Sequence, residues 1–222
     1  MIQLTNLQRH YVMSSETIKA LDGINLNIPA GERVVLLGPS GSGKTTLLNC
    51  ISGLDIPTEG IYTFDGNPVV GNSEELTTFR RKNIGYVFQF FNLLQDLTVL
   101  ENVLLIQELS GQRDVNRAKE VLNLVGLDSE IDRFPSEISG GQQQRVAIAR
   151  SIAKNPKLLL GDELTGNLDA ETSAKVMDVL TAACEKENIT TIMVTHDESL
   201  AKYATRVIRL DSGKVKSDEQ VA

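Results

Sequence analysis

The sequence predicts an α/β fold in which a parallel sheet is covered by helices, with an antiparallel β layer and an inserted helical subdomain. Three observations predict it. Short β-branched or apolar runs alternate with helical segments along most of the 222 residues, the pattern of parallel strands joined through helices. One such run, Arg33 to Leu37, leads directly into Gly38-Pro39-Ser40-Gly41-Ser42-Gly43-Lys44-Thr45 and then into a helical segment from Thr46 to Ile51. Residues 92–152 break the alternation, because 99–109, 115–125 and 142–154 are helical in period with no strand between them.

The remaining elements follow in order. Residues 1–30 and 59–70 carry short alternating runs, with turns expected at Asp22-Gly23 and Asp65-Gly66, and form the antiparallel layer. Ile84 to Phe88, Lys157 to Asp162 and Thr191 to Thr195 read as strands, and residues 217–222 as a loose polar tail. A length of 222 residues suits one domain, 1–222, with the helical subdomain at 92–152 inside it. Hydrophobic content of 41% and charged content of 23% are those of an ordinary globular protein. There is no run of about 18 apolar residues and no basic-then-apolar N-terminal stretch, so the expected location is the cytoplasm or the cytoplasmic surface of a membrane. A net charge of −7 argues against general nucleic-acid binding. Cys50 and Cys184 lack metal-ligand spacing and are expected to be reduced and structural.

The chemistry lies in three motifs. In the glycine-rich loop, Gly38 and Gly43 let the backbone curl with its N–H groups pointing inward around phosphates. Pro39, Ser40 and Ser42 complete the curl, Lys44 reaches the β and γ phosphates, and Thr45 can ligate Mg²⁺, with Thr46 behind it. The chain therefore reads as a P-loop NTPase core. In Lys157-Leu158-Leu159-Leu160-Gly161-Asp162-Glu163 an apolar strand ends in two acids that point in different directions. Asp162 is suited to holding Mg²⁺ and Glu163 to polarising an attacking water. In Ile138-Ser139-Gly140-Gly141-Gln142-Gln143-Gln144-Arg145 a helix opens with a second anion-favouring N-terminus, which two copies of the chain can offer to one another's nucleotide.

At these residues the sequence resembles the ATP-binding cassette (ABC) ATPases, whose signature is Leu-Ser-Gly-Gly-Gln, with Ile138 here in place of Leu. The resemblance covers nearly the whole chain. It implies ATP and Mg²⁺ as cofactors, ATP hydrolysis, a head-to-tail homodimer in the ATP-bound state with Ser139, Gly140, Gly141 and Gln142 against the partner's nucleotide, and a separate transmembrane subunit. It also implies Tyr11 stacking on adenine, Gln89 touching Mg²⁺ and the attacking water, Asp169 in a loop crossing the dimer interface, and His196 orienting Glu163 and the γ-phosphate. Phe90, Phe91, Asn92 and Leu93 are expected to form part of the surface that docks on the membrane subunit.

Two positions depart from the family pattern. Leu164 stands where proline is usual and is expected to loosen the turn, and Gly161 stands where alanine is frequent and is expected to weaken its strand; neither removes a chemical group. The Gly85-Tyr86-Val87-Phe88-Gln89 and Gly166-Asn167-Leu168-Asp169 runs are similar to those of the macrolide and peptide exporter, lipoprotein-release and cell-division ATPases. They imply a peripheral subunit on the cytoplasmic side of the inner membrane. Two readings compete: a soluble cassette acting on nucleic acid or ribosomes, disfavoured by the charge and the single cassette, and a P-loop small-molecule kinase, which needs no second phosphate helix.

Overall fold

The computed structural model describes residues 1–13 and 16–221. In chain order its elements are β1 (Ile2–Val12), β2 (Thr17–Ile28), β3 (Arg33–Leu37), α1 (Lys44–Ser52), β4 (Glu59–Phe64), β5 (Asn67–Pro68), α2 (Ser73–Asn83) and β6 (Ile84–Val87). Then come α3 (Val99–Leu109), α4 (Val115–Leu124), α5 (Gly140–Ile152), β7 (Leu158–Asp162), α6 (Ala170–Lys186), β8 (Thr190–Val194), β9 (Arg206–Asp211) and β10 (Lys214–Gln220). The chain divides into two compact units, one of Met1–Arg80 with Thr190–Ala222 and one of Arg81–Ile189.

The first unit contains the antiparallel layer, in strand order β2-β1-β4-β5. Alternation puts Ile2 and Leu4 of β1 and Ile24, Leu26 and Ile28 of β2 into the core. Burying each such side chain contributes roughly 1.5–3 kcal/mol. The turn expected at Asp22-Gly23 is not there: both residues lie inside β2, where Gly23 at φ 88° belongs to a stretch of irregular register opposite Leu7 and Gln8. The glycine bends the strand without reversing it. Asp65-Gly66 does turn the chain, with φ of 50° and 77°, as a tight hairpin between β4 and β5 requires. Beside this layer β3 pairs in parallel with both β8 and β9, and β10 runs antiparallel to β9.

The expected polar tail is therefore a strand. Residues from Ser217 to Gln220 pair with Arg209 to Arg206. The Arg206 guanidinium accounts for it: its Nε donates to Asp218 Oδ1 and its NH2 to Asp218 Oδ2, both at 2.7 Å, and NH1 donates to Glu32 at 3.0 Å. These bonds hold Arg206 more firmly protonated than usual.

In the second unit β6 and β7 pair in parallel, and helices α3, α4, α5 and α6 pack together around Val103, Val121, Val146 and Met177. The helices expected at 99–109, 115–125 and 142–154 are present with nearly those bounds. A capping box starts α3: Thr98 Oγ1 accepts from the Glu101 N–H, and Glu101 accepts from the Thr98 N–H at 2.8 Å. Gly85 lies in β6 because a Cβ there would stand 2.7 Å from the carbonyl oxygen of Ser151 on α5. Cys50 and Cys184 are free and buried, and burial pushes the Cys50 thiol up to about 12, which keeps it inert.

Candidate functional site

In the first unit β3 delivers the chain to the glycine-rich loop, and α1 begins at Lys44. Gly43 has φ 100°, and a Cβ there would stand 2.3 Å from the Ala20 carbonyl oxygen; Gly38 has φ 153°, with Leu210 O at 2.2 Å from its would-be Cβ. Conformation and clearance both demand glycine at these two points. Gly213 at the β9–β10 turn donates its N–H to Ser42 O at 3.0 Å and fixes the loop from outside.

No side chain caps α1, so its first-turn N–H groups and the positive end of its dipole are left for an anion. Ser42 Oγ is buried and has no hydrogen-bond partner among the described residues. Such a group costs roughly 1–3 kcal/mol unless a ligand oxygen accepts from it. Lys44 Nζ donates to Gly38 O at 2.7 Å and Pro39 O at 2.8 Å, which places its charge across the loop mouth. Thr45 is exposed, within reach of a bound ion. These residues fit a Mg-triphosphate.

Tyr11 stands on β1 and shares a hydrogen bond with the Thr46 side chain, so the structure brings it to the loop. Its hydroxyl donates to Asp55 Oδ2 at 2.5 Å; Arg9 donates to the same oxygen at 3.0 Å and lies over the Tyr11 ring at 4.4 Å. Burial raises the Asp55 carboxyl, but the bonds from Tyr11 and Arg9 bring it below its ordinary value overall, and burial and Asp55 raise the Tyr11 hydroxyl. The ring is thus tethered at its hydroxyl and braced on one face. Asp55→Ala should raise the Kd for ATP about 3- to 10-fold, the worth of one stacked base, and leave inorganic triphosphate binding unchanged in a titration. Equal losses for both ligands would count against a role in holding the base.

His196 follows β8 and is exposed. A cavity of about 370 Å³ on the loop's flank is lined by His196, Gly38, Pro39, Glu198, Arg209 and Lys216 among others, so the histidine and the start of the loop share one wall.

In the second unit Asp162 ends β7 and Glu163 follows in the left-handed region at φ 50°. Among the described residues the other non-glycine positions with positive φ are Asn and Asp, which tolerate it, and Ser212; a glutamate there carries roughly 1–2 kcal/mol of strain. Glu163 O accepts from the Gly166 N–H at 3.0 Å, and Asn167 Nδ2 donates to Gln89 O at 3.0 Å. Gln89 is thereby brought to the turn that follows the two acids. Leu164 in that turn is 3% exposed, and its isobutyl group occupies the space beside Gly161 that an alanine methyl would take.

The signature helix is capped by its own residues. Ser139 Oγ accepts from the Gln142 N–H, while Gln142 Oε1 accepts from the Ser139 N–H at 2.9 Å. The capping box thus engages the Ser139 and Gln142 N–H groups at the N-terminus expected to favour an anion. Gly141 faces α6 closely, since a Cβ there would stand 2.5 Å from Thr172 Cγ2 and would force that side chain to turn. Asp169 caps α6 through the Thr172 N–H at 3.0 Å, and its bonds to Thr172 hold its carboxyl below the usual range. Phe90 is exposed, but Leu93 is buried and the Phe91 ring lies 3.6 Å from the would-be Cβ of Gly140, so the expected docking surface narrows to Phe90 and its exposed neighbours.

Sequence reading missed Arg9 and Asp55, which partner Tyr11, and Arg150. Arg150 is half-buried and donates to Phe91 O at 2.9 Å and Asn92 O at 2.6 Å, which ties the segment after Gln89 to α5. Its position on the helix opened by the signature was the only signal available.

A strand, a glycine cage and an uncapped helix carrying a lysine define a P-loop nucleoside triphosphatase. The family model for the ABC transporter ATPase matches residues 21–166. The chain belongs to the ABC transporter family and is an ATP-binding, ATP-hydrolysing cassette. It is 45% identical to the uncharacterized ABC transporter ATP-binding protein MJ1508 of Methanocaldococcus jannaschii over 97% of both chains. It is 41% identical to the lipoprotein-releasing system ATP-binding protein LolD 2 of Chlorobaculum tepidum over 98% of this chain and 92% of that one. The dimeric post-hydrolysis structure of the M. jannaschii cassette MJ0796, bound to ADP and Pi, matches with TM-score 0.89 and 42% identity over 100% of this chain and 99% of that one.

Proposed function

We propose that two copies of the chain close head to tail around two Mg-ATP and drive a separate membrane subunit that exports a peptide, lipoprotein, lipid or drug. One observation carries this reading: the chain has two anion-suited helix starts, the uncapped α1 at Lys44 and α5 at Ser139, and one triphosphate needs only one of them per chain. The dimeric structure of MJ0796 supports the second serving a partner's nucleotide. When bound, Mg²⁺ neutralises charge on the β and γ phosphates. Thr45, Asp162 and Gln89 would hold it. Lys44 and the loop N–H groups orient the phosphates, Glu163 takes the proton of the attacking water, and His196 orients the γ-phosphate. On closure Ser139, Gly140, Gly141 and Gln142 of each copy face the other's nucleotide, with Ser139 exchanging its capping bond for a phosphate oxygen, and Asp169 lies at the interface.

No helix among the described residues is long and apolar enough to cross a membrane. On this reading a separate membrane subunit does the transport, with this chain on its cytoplasmic side and Phe90 at the junction. Nucleic acid is not a partner on this reading. The similarity to LolD 2 supports the export subgroup. Affinity capture of the tagged Glu163→Gln chain from native membranes in Mg-ATP tests it. A co-purifying chain with few membrane helices and a large outer domain is the expected result, a many-helix permease would replace the export subgroup with conventional transport, and soluble partners alone would overturn the membrane role.

A further inference from the structure

The geometry points to Gly161 and Leu164 acting as one positioning device for the carboxylate between them. The inference rests on the reading of Glu163 as the group that activates water. Gly161 sits in a regular strand, paired with Val87. Backbone conformation does not ask for glycine here, since its φ is not in the left-handed region, unlike those of Gly38, Gly41 and Gly43. Its neighbour does. A Cβ on Gly161 would stand 2.7 Å from Leu164 Cδ1, 2.8 Å from Cγ and 3.0 Å from Cδ2. A terminal methyl alone could swing away, but here both methyls and the branch carbon crowd the position, so relief needs a change of χ1 in a side chain that is 3% exposed and packed on its other sides.

Leu164 therefore closes back over the strand end, and its side chain spans Asp162 and Glu163 as a staple. The backbone inside the staple is the strained one, with Glu163 at φ 50°. Strain of this kind persists only where the surroundings over-determine it. The buried isobutyl group on a bare strand position fixes one end, and the Gly166 N–H on Glu163 O at 3.0 Å fixes the other. The two departures from the family pattern are thus a matched pair, each making room for or filling the space of the other, and their joint product is the direction of the Glu163 side chain.

The test is a double-mutant cycle read as kcat, KM for ATP and Tm. Gly161→Ala pushes Leu164 out and should lower kcat about 10-fold or more at unchanged KM, since an error of about 1 Å in a reacting group costs up to about 100-fold. Leu164→Ala opens a void and should lower kcat less. Combined, each change removes the cause of the other's defect, so the double variant should recover to within about 3-fold of wild type, a non-additivity expected only of touching residues. Wild-type kcat in Gly161→Ala, losses that multiply in the double variant, or a fall in Tm with kcat intact would overturn the proposal. Should Gly161→Ala not fold, Leu164→Met against Leu164→Ala carries the test: Met, of similar volume, should keep kcat and Ala lose it, and equal kcat would overturn the staple. Glu163→Gln run beside them separates the two failures. At wild-type kcat it removes the reading of Glu163 itself, whereas an inactive Glu163→Gln with a fully active Gly161→Ala removes the pair alone.

Discussion

Glu163→Gln should lower kcat for ATP hydrolysis by about 10²- to 10⁴-fold while ATP affinity is retained, the range expected when a general base is lost. The change keeps side-chain shape. The turn bond at this residue uses its backbone carbonyl, which accepts from the Gly166 N–H, so the local fold survives the substitution. Capable of binding but not of turnover, the variant should accumulate as an ATP-bound dimer. Light scattering coupled to size exclusion, with saturating Mg-ATP, should show a doubled mass that disappears with ADP. A variant that stays monomeric under those conditions would count against the closed dimer, and one that hydrolyses normally would move the base elsewhere.

Lys44→Ala should raise the Kd for ATP by roughly 10²- to 10³-fold, the loss of one or two charge-assisted hydrogen bonds at about 1.5–3 kcal/mol each. The side chain also bridges Gly38 O and Pro39 O, so its removal could relax the loop instead of merely removing a charge. Thermal melting with and without nucleotide separates the two. At ATP near 100 times its Kd the wild type gains about 2.7 kcal/mol, and the variant should gain almost nothing while its ligand-free Tm changes little. An undiminished ATP-induced rise in Tm would show that Lys44 does not hold the phosphates.

The parts of this site that were legible in the sequence are those whose residues are contiguous. Gly38 to Thr45 carries its geometry in its spelling, because positive φ and close approach to Ala20 and Leu210 leave glycine no substitute at Gly38 and Gly43. Gly141 is also crowded, though its neighbour, the Thr172 methyl on a later helix, could not be read from the motif. Asp55 was invisible because Tyr11 and Arg9 reach it across 44 and 46 residues, from a strand to the loop after a helix. Gly161 and Leu164 were each legible as a weakness and only together as a packed unit, since neither pattern nor propensity says where a leucine on a turn will put its side chain. The β10 strand was hidden by its charges, which read as a tail until Arg206 supplied their partner.

Those same charges have a consequence for how the protein behaves in a crowded cell. β10 is an outermost strand, next only to β9, and an unguarded strand edge invites further chains to zip on through their backbones. Lys214, Lys216, Asp218 and Glu219 stud its length, with Arg206 holding Asp218 from the neighbouring strand. An incoming strand would have to bring matching charges in register. Self-association is thereby steered away from the sheet edge, which leaves the proposed closed dimer free to form without polymerising.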